Sequence, residues 1–515
     1  VTDEQPISRR AAREAARGKG APTTPPAVDA DAAPAAAKTP GGIGALLRRH
    51  PVAWIVGASA VAFALLGTGA VFAGAAWASR DQRAAVSTPE PSAAPERPLP
   101  AELASATRLR TCSIAPQAAD PRLGGLVGTV VRTDTGESLF DRSGAAPAPT
   151  SSAMKVLTAA AAISRLGPDF QVTTSVYEGS SPGTIVLVGR GDATLSALPA
   201  GQESFYPGAP KLQTLAETTI ANYRAKYPDI PIARVVLDAG YWNANDRWDE
   251  TWDRGELTRG TLSEVTALQV DGDRSDPRAA VSERSNDPVG RAGSAFIEAL
   301  RDADVDGDIV AEDVTTIAGS AVGTTTLAEV KSQPIRNWIS QMLLANDHTL
   351  AEMLARIVSR ESDMGGSAAS LQGAITGALL SWEIPSDGVT IRDGSGVSAG
   401  DAVPPQVMTA LMRKVLGGEG GLDVVRGVLP VAGKSGTLVD RFTGDNTEGR
   451  DNVTGAAGSL SGASTLSGWF TAADGAQYAF SFTAVAEGLK ASDARAALDT
   501  LTIAALRCGD NLSNN

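Results

Sequence analysis

From Val52 to Ser79 the chain carries no charged residue. The run WIVGASAVAFALLGTGAVFAGAAW is long enough, at 1.5 Å per helical residue, to cross roughly 30 Å of hydrocarbon. The pattern predicts a transmembrane helix over 51–79; the alternatives are a cleaved signal peptide or a buried core helix, and both the run and the tail before it exceed signal-peptide norms. Residues 1–50 are rich in Ala, Pro, Arg and Thr and read as a disordered tail, with room for a short helix over Arg9–Arg17. Arg48 and Arg49 abut the span, so the positive-inside bias keeps the tail cytoplasmic and sends everything after Arg80 outward. Residues 80–104, which include AAVSTPEPSAAPERPLP, form a Pro-rich, semi-extended spacer.

Beyond the spacer the pattern becomes globular. GLVGTVVRTDTGESLF places two β-prone runs around a Thr-Asp-Thr-Gly turn, a hairpin. Met154, Val156, Leu157, Ala160, Ala161, Ile163 and Leu166 then supply a broad helical apolar face that Gly167-Pro168 stops. Between about 170 and 330, short runs such as TIVLVG and ARVVLD alternate with turn residues, which predicts a mainly β insertion over 171–330. Helical periodicity returns over Ile335–Arg360 and Ala368–Trp382. STLSGWFTAADGAQYAFSFTAV gives two strands around Asp474-Gly475, and Ser492 reads as the N-cap of a last helix ending near Leu506. This order predicts one α/β (α+β) head, split over 105–170 and 331–510.

Composition changes this picture little. With 43% hydrophobic and 20% charged residues the chain is of ordinary globular type, and its net charge of -13 argues against a nucleic-acid partner. The two cysteines, Cys112 and Cys508, and the two histidines, His50 and His348, show no metal-ligand spacing, so neither metal nor cofactor is expected. Cys112 and Cys508 lie at opposite ends of the head, and an outward-facing compartment permits a disulfide between them.

The sharpest chemical signal is Ser152-Ala153-Met154-Lys155, where a helix begins. Positions i and i+3 share a helix face, so the Lys155 amine lies within reach of the Ser152 hydroxyl. A desolvated lysine has a lowered pKa and, when neutral, takes the serine proton during attack on a carbonyl. The backbone N–H groups of the helix start suit an oxyanion. The bland alternative is an N-capping serine beside a solvent-facing lysine.

Longer segments resemble the penicillin-binding protein 4-like D-alanyl-D-alanine carboxypeptidases from about Leu123 to Leu506. PAPTSSAMKVLTAAAAI is similar to their nucleophile segment, GTIVLVGRGDATLS to a strand-turn segment of their insertion, and LLANDHTLAEMLAR falls at their second motif. IRDGSGVSAGDAVPP and LPVAGKSGTLVDRFTG are similar to two further segments. The resemblance implies a penicillin-recognising transpeptidase/β-lactamase-like domain with an insertion, preceded here by one membrane helix. It also implies a serine acyl-enzyme, peptidoglycan stem peptides as substrates, and β-lactams as covalent inhibitors at a bacterial plasma membrane.

The resemblance also exposes departures. The family's second motif is Ser-x-Asn; here Asn346 and His348 stand at those positions. Asn346 holds hydrogen bonds but cannot shuttle a proton, whereas His348 titrates near neutrality and is either a proton shuttle or a structural residue at a helix start. The third motif, Lys-Thr-Gly, offers its cation to the substrate carboxylate. Lys434-Ser435-Gly436 mimics it, but the spacing to STLSGWF puts the motif at Ala456-Ala457-Gly458, with Gly458 and Ser459 as substrate-binding positions and Lys434 as a surface loop residue. Three readings follow: an active carboxypeptidase or endopeptidase, a weakened homologue that binds peptidoglycan or a cell-wall partner, and a hydrolase of another acyl substrate.

Overall fold

The computed structural model describes residues 109–320 and 325–514. The expected tail, membrane span and spacer lie outside the described residues, among which no helix is long and apolar enough to cross a membrane.

Strands β1 (Gly125–Arg132) and β2 (Ser138–Arg142) form the expected hairpin, with a left-handed Gly136 in its turn. The sheet of the insertion is assembled from β3 (Thr173–Glu178), β4 (Thr184–Val188), β5 (Ile232–Asp238), β6 (Val310–Ala318) and β7 (Thr326–Lys331). The chain returns to the first sheet with β8 (Val453–Leu460), β9 (Ala463–Thr471) and β10 (Gln477–Val485). Its order is β2-β1-β10-β9-β8, antiparallel throughout, so β8 is an edge strand.

Helices cover both faces of this sheet. One core gathers α1 (Met154–Leu166), α4 (Ile335–Leu344), α5 (His348–Glu361), α6 (Leu371–Ser381) and α7 (Pro405–Gly417) against Trp469 and Ala479. The other packs the last helix, α8 (Ala491–Cys508), on Leu466, Phe470, Tyr478 and Phe480. The sequence shows α1 as amphipathic, but every residue from Met154 to Ile163 is buried. The run Ala159–Ala162 presents no bulk, which lets neighbouring helices close around it.

The insertion carries its own core and sheet, ordered β6-β5-β4-β3-β7. Its β4/β5 and β5/β6 pairs are parallel, and its other pairs antiparallel. Two helices, α2 (Leu212–Lys226) and α3 (Pro288–Ala303), pack in that core, so the segment is mixed α/β rather than mainly β. The apolar stripe of α2, Leu212, Leu215, Ala216, Ile220 and Tyr223, is diluted by Thr, Gln, Glu and Asn. The α3 start is fixed by the Asp287 carboxylate, which accepts the Gly290 N–H at 2.9 Å.

Two helix boundaries depart from expectation. The single helical stretch over Ile335–Arg360 breaks at Asn346, whose φ is +54°, and Asp347 caps α5 by accepting the Leu350 N–H at 2.9 Å. Ser492 is not a cap: α8 already begins at Ala491, and the Ser492 hydroxyl donates to Asp493 instead. Cys112 and Cys508 are joined, their Cα atoms 5.5 Å apart, which ties the head's first segment to the end of α8.

Candidate active site

Ser152 sits in a single 3₁₀ turn, Ser151–Ala153, that runs straight into α1. Two glycines make the turn possible. Gly396, at φ +77°, lets the loop after α6 pass against the Ser151 carbonyl, where a Cβ would collide. Gly458 brings edge strand β8 against the Ser151 hydroxyl and the Ser152 backbone N–H, where any side chain would collide as well.

Lys155 lies on the first turn of α1, 1% exposed. Its Nζ donates to the Ser395 carbonyl at 2.9 Å and lies 3.0 Å from His348 Nδ1. The hydrogen bonds of Nζ therefore run to those two groups and not, as the i, i+3 spacing suggested, to the Ser152 hydroxyl. Burial lowers the Lys155 pKa to about 8, against the pull of Asp393, Glu352 and Asp347. His348 is pushed well below the usual imidazole value by burial and by the neighbouring Lys155. Where Lys155 is charged, Nδ1 of His348 accepts its hydrogen bond, and the Nε2 atom on the other side of the ring lies 3.4 Å from the side-chain amide nitrogen of Asn346.

The surroundings of the pair are held from behind. Asp347, between Asn346 and His348, meets Arg274 at 2.9 Å and Tyr206 at 3.0 Å from the insertion. Against the cost of burial, the Arg274 and Arg284 charges hold its carboxyl at about 2. The Asp393 carboxylate accepts from the backbone N–H groups of Ser395, Gly396 and Ser398 and from the Trp252 indole, which fixes the carbonyl that Lys155 meets. Burial and the Asp393 charge raise the pKa values of Glu352 and Asp401, so protonation limits the negative charge buried here.

Ser152, Asn346, His348, Gly458 and Ser459 all line one cleft of about 260 Å³, with Gly396, Thr437, Arg441, Ala457 and Arg495. Ala456 turns into the helical core and Ala457 towards the α8 side, so two methyl groups occupy the Lys-Thr positions. Lys434 is no substitute: it is exposed, outside the cleft lining, and pairs with Asp451 at 2.5 Å.

A family model described as the D-Ala-D-Ala carboxypeptidase 3 (S13) family matches residues 111–284 and 261–505. The chain belongs to that family. Carboxypeptidase DacB of Mycolicibacterium smegmatis is 30% identical over 429 residues, spanning 82% of this chain and 89% of that relative. A carboxypeptidase of Mycobacterium tuberculosis is 31% identical over 404 residues, with 78% and 84% covered. Among solved structures, penicillin binding protein 4 (dacB) of Haemophilus influenzae superposes with a TM-score of 0.61 at 18% identity, covering 75% of this chain and 97% of that one, a likeness of fold.

Within this family member, sequence reasoning missed Asp393, Thr437, Arg441 and Arg495. The Gly-rich IRDGSGVS segment hinted at a tight loop around Asp393, and the Gly-Thr-Leu turn at Thr437. Arg441 lies in the same family-like segment, LPVAGKSGTLVDRFTG, whereas Arg495 stands singly in a separate one and carries no local signal.

Proposed function

We propose that this chain, a serine-type D-Ala-D-Ala carboxypeptidase/endopeptidase by family, cleaves peptidoglycan stem peptides through an acyl-enzyme on Ser152. The observation that carries the reading is the buried Lys155 amine, its pKa lowered to about 8, one helical turn from a serine that opens on the cleft. In its neutral form Lys155 takes the Ser152 proton as Oγ attacks the peptide carbonyl. The developing oxyanion meets the Ser152 N–H and an N–H of β8. Along that strand the Gly455 and Ala457 N–H groups face away from β9, the former to Pro430 and the latter to Thr437, so by alternation the Ser459 N–H also faces the open edge. Protonated Lys155 then returns a proton to the leaving amine, with Asn346 and His348 holding the substrate backbone and the lysine. Water completes the cycle, and β-lactams trap the same serine.

The methyl groups of Ala456 and Ala457 favour a second reading, a weakened homologue that binds stem peptides with little turnover. Incubation with a peptide ending in D-Ala-D-Ala should release D-alanine slowly, and penicillin should suppress the release. A penicillin adduct without release favours the second reading; neither adduct nor release removes the enzyme reading.

We also infer a single-pass protein of the bacterial plasma membrane with this domain outside, supported by the uncharged run from Val52 to Ser79 and its basic flank. A reporter active only outside the cytoplasm, fused after residue 110, should be active; a silent one reverses the orientation.

A further inference from the structure

The nucleophile's cleft contains no Asp or Glu among its lining residues but two arginines, Arg441 and Arg495. Strand β8, which forms one wall, has no charged residue from Val453 to Leu460. Arg441 is 8% exposed. Its Nη2 donates to Asp499 at 2.7 Å and to the Arg495 carbonyl at 3.1 Å, while its buried Nε has no partner. Asp499 balances one of the two positive charges and leaves the other. Arg495, exposed on the first turns of α8, donates from Nε to the Ser459 hydroxyl at 3.2 Å, which holds its guanidinium beside the open edge of β8. Side chains at Ala457 and Ser459 share one strand face, and the Thr437 hydroxyl, which accepts the Ala457 N–H at 3.4 Å, has its own hydrogen free to give. A cationic, donor-rich end thus lies one residue along β8 from the glycine that touches Ser152.

We propose that Arg441 and Arg495, with Thr437 and Ser459, form the receptor for the terminal carboxylate of the stem peptide. It does the work of an absent cation on β8. Arg441, fixed by Asp499, supplies the buried part of the field, and Arg495 supplies the planar fork that suits a carboxylate. This rests on the stem-peptide reading and names the subsite that reading lacks.

The test measures binding rather than turnover. In the Ser152→Ala form of the full chain, titration calorimetry compares a peptide ending in D-Ala-D-Ala with its C-terminal amide. The free acid should bind about tenfold more tightly, as expected of a charge-assisted contact. Adding Arg495→Ala should erase most of that preference, and Arg495→Glu should reverse it, with the melting temperature unchanged because Arg495 is exposed. Equal binding of acid and amide before the arginine is changed, or a preference that survives both substitutions, overturns the proposal. If the acid preference behaves as expected while the chain with Ser152 intact is never acylated by penicillin, the acyl-enzyme reading falls and the carboxylate receptor stands.

Discussion

Ser152→Ala is expected to abolish penicillin labelling and D-alanine release together. Removing the nucleophile of a serine hydrolase costs on the order of a millionfold in rate, so from a slow parent the signal should vanish into background. Neither of the neighbouring serines is placed to substitute. Ser151 is 1% exposed, with its side chain against Gly458, and the Ser459 hydroxyl is engaged by Ser464 and Arg495. The Ser151→Ala form, which leaves the positive φ of that residue no more strained than before, should therefore keep its labelling. Mass spectrometry of the labelled peptide reads both results directly. Labelling that persists in Ser152→Ala would falsify the acyl-enzyme mechanism.

Lys155→Met should lower the acylation rate by roughly a hundred- to ten-thousandfold, the usual worth of a positioned general base. Methionine matches the length of the buried stem without its charge, so a thermal melt separates loss of chemistry from loss of fold. The same residue sets the pH profile. Burial destabilises the ammonium and brings its pKa down to about 8. The proton-accepting form is thus the minority below that pH and the majority above it. Acylation should rise about tenfold per pH unit up to about 8 and then level off. His348 stays neutral across this range because its own pKa lies well below the usual value, so it adds no step near neutrality. A rate that is flat from pH 6 to 9 would remove Lys155 as the base.

Parts of this molecule were legible in adjacent residues. Ser152 and Lys155 lie three positions apart on one helix start, and the α-helical repeat alone puts them on one face. The hairpins of β1/β2 and β9/β10 were legible through their turn glycines, and the disulfide through the presence of two cysteines at opposite ends of the head. The break at Asn346 was hidden because apolar periodicity runs on across it, and only the packing of Arg274 and Tyr206 on Asp347 shows why the chain turns there.

What the sequence by itself determined is the family and the placing of Ser152 and Lys155 on one helix start, since those depend on contacts within a turn and on long runs of similar residues. The tertiary structure alone decided which strand edge faces Ser152, that Lys434 pairs with Asp451 away from the cleft, and that Lys155 meets His348 and the Ser395 carbonyl. It also decided that two arginines from separate segments converge beyond Gly458. The physical reason is that a helix repeat fixes neighbours through a few backbone dihedrals, whereas the seating of β8 on the start of α1 depends on glycines, a buried carboxylate loop and α8 all closing at once.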